Sequence, residues 1–315
     1  MSWKINVLFL VVFVLFGCKD KEVEQMPVVK KEPNEMSHSY LVEVDELSKL
    51  VGKPDIKIID FRKPEFYLDE HIPGALNIWR TDIEDLSYPY KGIMISKEQL
   101  EVLFSNLGIK NSDTIIIYDD NGLCDSSRLW WILQNYDFTG VKLFHGGFKA
   151  WKENNGEVTS ELPKIVQTVF KLPEYSSMKY YVSKADMVEA LYGKTILLDT
   201  RTDDEFSGKR QKSGAAKGGR IPNSKWIDWS SAIDYHGDLM IKPYDELDRI
   251  YKQLASKNDT IIVYCHSGVR SAHTTFILTQ LLGYKNVRNY DGSWTEWSYF
   301  EDLPFEQDSI TTIKQ

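Results

Sequence analysis

The chain of 315 residues contains one long pattern twice, with the later parts of the two copies 146 positions apart. Ile115-Ile116-Ile117-Tyr118-Asp119-Asp120-Asn121-Gly122 matches Ile261-Ile262-Val263-Tyr264-Cys265-His266-Ser267-Gly268. Gly146-Gly147-Phe148-Lys149-Ala150-Trp151 matches Gly292-Ser293-Trp294-Thr295-Glu296-Trp297 at the same offset. Upstream, Ile58-Ile59-Asp60-Phe61-Arg62 matches Leu197-Leu198-Asp199-Thr200-Arg201, and His71-Ile72-Pro73-Gly74-Ala75 matches Arg220-Ile221-Pro222-Asn223-Ser224. Matching over this span means a duplicated domain, not a short-period solenoid. Each copy alternates strand and helix signals, which argues for an α/β unit with a parallel sheet. The length accommodates two domains of ordinary size. We place them at 38–154 and 180–303, joined by a strap over 155–179 that contains Pro163 and Pro173, with a tail over 304–315.

The second copy holds the chemistry. Thr260-Ile261-Ile262-Val263-Tyr264 reads as a buried strand, and Ser271 to Leu282 reads as a helix with apolar positions at Phe276, Ile277, Leu281 and Leu282. The loop between them opens on Cys265. A cysteine at a strand end, just before a helix, lies where backbone N–H groups and the helix dipole stabilise a thiolate. A free thiol of pKa ~8.5 is mostly protonated at neutral pH, and lowering it by ~2 units needs roughly 2.7 kcal/mol in favour of the anion. A helix terminus supplies typically ~0.3–1 kcal/mol. Converging loop amides and the Arg270 guanidinium are therefore needed as well. Gly268 fits such a loop, since amides turned inward usually require a residue free to take positive φ. The alternative is a buried structural cysteine.

From Cys265 to Arg270 the loop holds six residues. The cysteine-dependent phosphatases use a loop one residue longer, Cys-x5-Arg. The Cys-x-x-Gly-x-Arg spacing resembles that of the rhodanese (sulfurtransferase) family. That resemblance implies two tandem rhodanese-like domains, each a parallel sheet flanked by helices. It implies that Cys265 is the nucleophile and carries a covalent persulfide, with no cofactor. Sulfur would come from a small anionic donor, thiosulfate or 3-mercaptopyruvate, and pass to cyanide or a thiol acceptor. His266, Ser267, Gly268, Val269, Arg270 and Ser271 would contact the donor. The first copy has Asp119 at the Cys265 position and Cys124 at the Arg270 position. This matches tandem rhodaneses, whose N-terminal domain is usually catalytically silent. Tyr118-Asp119-Asp120 leading into Ser126-Ser127-Arg128-Leu129-Trp130-Trp131 also resembles that domain.

Asp199 and Arg201 have two readings. They form a structural ion pair at a strand end, or they line the mouth of the site, because ligands of parallel α/β sheets bind beyond the carboxyl ends of the strands. Asp60 and Arg62 repeat the pair in the silent copy, which favours the structural reading. His266 is expected to be exposed and to contact substrate. No second ligand lies at a metal-site spacing, so no metal is expected. Trp130 and Trp131 point about 100° apart on a helix, one toward its own domain and the other toward the domain interface. The stretch Gly208 to Arg220 is an insertion rich in Gly, Lys and Arg, either a solvated loop or a basic rim that draws anionic donors toward Cys265. Among the donors, thiosulfate is favoured. Mercaptopyruvate enzymes usually have an arginine followed by an aromatic where this chain has Glu205-Phe206. A persulfide carrier without turnover of its own remains a third reading.

The N-terminus suggests where the protein works. A positive start and an apolar block of 12 residues from Ile5 to Phe16 form a secretory signal, shorter than the ~20 residues of a membrane span. Leu15-Phe16-Gly17-Cys18 resembles the lipobox of bacterial lipoproteins, which implies lipidation of Cys18 and anchoring at the cell envelope. Lys19 to Ser37 is polar and reads as a tether. There are three cysteines. A Cys124–Cys265 disulfide would disable the site, so both are expected to be free. A net charge of −8 argues against nucleic-acid binding. A monomer is expected.

Overall fold

A computed structural model describes residues 40–308. The segments read as signal, lipidation site Cys18 and tether lie outside the described residues. The first half runs β1 (Leu41–Val42), α1 (Val44–Leu50), β2 (Ile56–Asp60), α2 (Pro64–Asp69), β3 (Leu76–Asn77), α3 (Lys97–Asn106), β4 (Thr114–Tyr118), α4 (Ser126–Asn135), β5 (Val141–Phe144) and α5 (Gly147–Glu153). The second half repeats it with β6 (Tyr181–Val182), α6 (Lys184–Ala190), β7 (Ile196–Asp199), α7 (Asp203–Phe206), β8 (Lys225–Trp226), α8 (Tyr244–Tyr251), β9 (Thr260–Tyr264), α9 (Val269–Phe276), β10 (Asn286–Tyr290) and α10 (Ser293–Tyr299).

Each half is a five-stranded parallel sheet, in the orders β1-β5-β4-β2-β3 and β6-β10-β9-β7-β8. The apolar runs Ile115-Ile116-Ile117 and Ile261-Ile262-Val263 lack polar alternation because their sheets are covered on both faces. Register aligns Asp60 with Tyr118 and Asp199 with Tyr264, so the loops starting at Asp119 and Cys265 leave central strands at equivalent places. Outer faces of the two sheets have separate apolar clusters, one closed by Trp151 and the other by Trp297. Their indoles donate equivalently, Trp151 to the Glu157 carbonyl at 2.7 Å and Trp297 to the Pro304 carbonyl at 2.8 Å. The inner faces share one continuous core that includes Trp130, Trp131 and Phe276.

Two expectations need correction. Trp130 stands edge-on to Phe276 of α9 at 5.0 Å, and Trp131 donates to the Tyr180 carbonyl at 3.1 Å, so both indoles face the second half. The adjacent positions diverge on the helix, yet the interface wraps far enough round α4 to take both. The helix after Cys265 begins at Val269 rather than Ser271, and its last turn, Ile277–Leu281, widens into a π-turn. The strap contains no helix, but it is anchored, with Phe170 buried against Phe104 at 5.0 Å.

Candidate active site

Cys265 follows β9 directly and is fully buried. Its amide donates to Ser293 Oγ at 3.1 Å, and its carbonyl accepts from the Trp294 amide at 3.0 Å. The turn Asp291 to Trp294 thus fixes the start of the loop. Gly268 takes φ 77°, the left-handed conformation expected of it, and α9 starts at the next residue. Burial by itself would raise the Cys265 thiol. The Arg270 charge, the Ser271 hydroxyl and amide, and the Ser267 amide outweigh burial and hold the thiol below its ordinary value. Ser271 Oγ is buried and bonds no other group among the described residues, so its hydroxyl is available to Cys265.

The first half shows what this loop geometry is built to hold. Asp119, buried at the matching position, accepts N–H bonds on Oδ1 from Asn121 at 3.0 Å and Leu123 at 2.9 Å. Its Oδ2 accepts from Asp125 at 3.0 Å and Ser126 at 2.9 Å. Four amides converge on one anion, the kind of nest that suits a thiolate or persulfide. Here the chain's own carboxylate fills it. Burial and the neighbouring Asp125 push that carboxyl up to about 6. Cys124 is buried nearby, and burial and Asp125 push its thiol up, which makes it a poor nucleophile. Both described cysteines are free.

Arg270 is largely occupied. Its Nη1 donates to Glu205 Oε2 at 2.8 Å and its Nη2 to Glu205 Oε1 at 3.0 Å. Burial opposes the charge on Glu205, yet the Arg270 fork holds its carboxyl down to about 2. Sequence reasoning missed this pair, although a signal existed. Aligned on Asp60-x-Arg62, the first copy has Phe66 at the Glu205 position and Cys124 at the Arg270 position, so both partners are absent together.

His266 is buried, contrary to the exposure expected of it. Ser213 of the insertion covers it, its carbonyl accepting from Nε2 at 3.0 Å. Burial and Lys212 push the imidazole down to about 4, so it is neutral at pH 7 with the proton on Nε2. Asp199 and Arg201 form a buried pair, with Nε 3.0 Å from Oδ1, while Arg201 Nη2 donates to the Gly219 carbonyl at 2.7 Å. Arg62 bonds Asp60 in the same way at 3.0 Å. This geometry supports the ion-pair reading.

The first half also braces the loop after Cys265. Arg128 on α4 is buried, donating to Asp291 Oδ1 at 2.6 Å, the Gly92 carbonyl at 2.7 Å and the Gly268 carbonyl at 3.4 Å. Gly92 (φ 101°) lies so close to Ser267 that a Cβ built on it would stand 2.6 Å from Ser267 Cβ. Nothing in the sequence of either half alone points to these contacts, which exist only between the copies. In the insertion, Arg210 bonds Asp204 and Glu205, and Arg220 bonds Glu306 and Asp308. Lys212 makes no ion pair among the described residues, and its charged neighbours include Arg270, Glu205, Cys265 and Arg80.

The rhodanese-like domain family matches residues 43–154 and 184–299. A thiosulfate sulfurtransferase of Corynebacterium glutamicum is 33% identical over 276 residues, covering 84% of this chain and 90% of that protein. A sulfur carrier protein of Thermus thermophilus is 31% identical over 277 residues, covering 84% of this chain and 95% of that protein. Among solved structures, an anaerobic ergothioneine biosynthesis enzyme of Chlorobium limicola superposes with a TM-score of 0.75 at 22% identity, over 88% of this chain and 72% of that one. At that identity the likeness speaks for the fold alone. With both domains matched and full-length relatives at this identity, the chain belongs to the rhodanese family, as a tandem-domain sulfurtransferase of the rhodanese type.

Proposed function

We propose that this protein moves sulfane sulfur from thiosulfate to cyanide or a thiol through a persulfide on Cys265. The observation that carries the reading is a buried thiol held below its ordinary value by Arg270, Ser271 and Ser267 at the end of a central strand. In the first step the Cys265 thiolate attacks the outer sulfur of thiosulfate. The S–S bond of the donor breaks, a new S–S bond forms on Cys265, and sulfite leaves with the electron pair. In the second step cyanide attacks the outer sulfur, thiocyanate leaves, and the thiolate is restored. Charge balances in both steps, and no redox partner is needed.

Glu205 supports thiosulfate over 3-mercaptopyruvate. It stands where mercaptopyruvate enzymes usually have an arginine for the donor's carboxylate, and here that position is itself a carboxylate, bonded to Arg270. Steady-state kinetics with each donor and cyanide test this. We expect kcat/KM for thiosulfate to exceed that for 3-mercaptopyruvate, and the reverse order would overturn the choice of donor. The Thermus relative, named a sulfur carrier, supports a second reading in which a protein thiol is the acceptor. We further propose that Cys18 is lipidated and anchors a monomer at the cell envelope. The support is the lipobox-like Leu15-Phe16-Gly17-Cys18 after an apolar block. Labelled palmitate incorporated by the wild type and lost in Cys18→Ser is the expected result, and equal labelling of both would contradict it.

A further inference from the structure

Thiosulfate must bring two negative charges to a thiolate, and the loop's own cation is already matched. Both terminal nitrogens of Arg270 are engaged by Glu205, so the fork that would grip an oxyanion is closed. A dianion approaching the Cys265 thiolate therefore gains from cationic N–H groups that stay open and face the same space.

Arg80 is such a cation, and it comes from the other domain. It opens the short 3-10 turn Arg80–Ile83. From there the chain runs through the bridge Glu84–Met94 to Gly92, which lies on Ser267 of the catalytic loop, and Lys91, whose carbonyl accepts from Thr295 Oγ1 at 2.7 Å. The Arg80 ion pair with Asp125 uses Nε. The terminal nitrogens donate to no described residue, so four N–H groups of the guanidinium stay open. The side chain is 38% exposed, accessible to a small anion. Asp125 stands at the head of α4, whose Arg128 reaches the Gly268 carbonyl of the Cys265 loop, so Arg80 lies where the two loops face each other across the domain interface, and its charge is felt at both Cys265 and Cys124. Lys212 of the insertion completes the set: its neighbour Ser213 covers His266 of the Cys265 loop at 3.0 Å, and its charge acts on Arg270, Glu205, Cys265 and Arg80. In the second half the bridge Ile233–Ile241 corresponds to Glu84–Met94, and the residue matching Arg80 is Trp229. The cation is thus present in the half that faces the thiol and absent from the half that faces the filled Asp119 nest.

We propose that Arg80 of the first domain, with Lys212 of the insertion, forms the anion subsite that holds the oxyanion end of the sulfur donor beside Cys265. The inference rests on the sulfur-transfer reading above and gives the first domain a direct part in donor binding.

The test uses the full chain as wild type, Arg80→Gln and Arg80→Lys. Two alkylating agents of the same shape, anionic iodoacetate and neutral iodoacetamide, are compared at Cys265. Their rate ratio reports local positive charge and is independent of the thiolate fraction. We expect Arg80→Gln to lower the iodoacetate-to-iodoacetamide ratio roughly ten-fold and to raise the thiosulfate KM more than it lowers kcat. Arg80→Lys keeps the charge and should keep most of the ratio. A ratio and KM in Arg80→Gln equal to wild type would overturn the subsite. So would an Arg80→Lys variant as impaired as Arg80→Gln, because the residue would then act only through Asp125. If Arg80→Gln fails to fold, Arg80→Lys decides alone, since retention of the wild-type ratio supports the subsite and its loss overturns it. A wild type that turns over no thiosulfate would sink the proposed reaction, while the alkylation ratio would still decide the role of Arg80.

Discussion

Arg270 and Glu205 form a buried two-bond ion pair whose nitrogens lie 2.8 and 3.0 Å from the carboxylate oxygens, 65 residues apart in sequence. One partner favours the Cys265 thiolate and the other opposes it, so the pair sets both the charge and the pose of the loop.

Arg270→Ala removes the charge that holds the thiol down and leaves Glu205 buried without its partner. The thiol should rise, and kcat/KM for thiosulfate should fall by about 10²-fold, the scale of one charge-assisted contact. Breaking a buried pair also costs about 3–5 kcal/mol of stability. Thermal unfolding and donor kinetics on one preparation check both effects.

Glu205→Gln should move the thiol in the opposite direction. With the carboxylate gone, the positive charge of Arg270 is uncompensated and the thiolate gains. The pH dependence of Cys265 alkylation should shift to lower pH in Glu205→Gln and to higher pH in Arg270→Ala. A shift in the same direction for both variants would mark the pair as scaffolding alone.

Gly92→Ala tests the brace from the first domain. At φ 101° a side chain is strained, and the added Cβ would meet Ser267 Cβ at 2.6 Å. The loop or the 88–94 segment has to move. We expect a loss of about 1–3 kcal/mol in stability, together with a fall in the rate of persulfide formation. Wild-type kinetics in a destabilised variant would show that the contact holds the domains together without positioning Cys265.

The duplication and the cysteine loop at the end of a central strand were legible because both are local. Long apolar runs at Ile115–Ile117 and Ile261–Val263 require sheets covered on both faces, and one offset aligns the loops that follow. The positive φ of Gly268 was legible for the same reason. Burial of His266 was not, because it depends on Ser213, which reaches over from an insertion 53 residues earlier. The Arg128 contacts to Gly92 and Asp291 were hidden for a related reason, since a buried arginine reads as a surface residue until its partners on two other segments are known. Glu205 stood in plain view, but as an isolated acid it had no partner assigned.

His273 gives the protein an acid-side liability. Burial pushes its imidazole from 6.5 down to about 3, and neither ring nitrogen has a hydrogen-bond partner within bonding geometry. His266 follows, pushed to about 4. In the window between the folded and unfolded values, the unfolded chain binds protons that the folded chain does not. Stability should therefore fall as pH drops from about 6.5 toward 4, by at most about 1.4 kcal/mol per pH unit for each histidine. His273→Phe, beside Trp229 (5.4 Å from the His273 ring), should flatten this decline in the unfolding temperature. A decline as steep as that of the wild type would assign it to other groups.

The central claim is that Cys265 carries the sulfur, and mass spectrometry of the intact protein after thiosulfate treatment tests it most directly. The account predicts one added sulfur on the wild type, mapped to Cys265, discharged by cyanide and absent from a folded Cys265→Ser variant. A sulfur found on Cys124, or thiocyanate produced by Cys265→Ser at the wild-type rate, would contradict it.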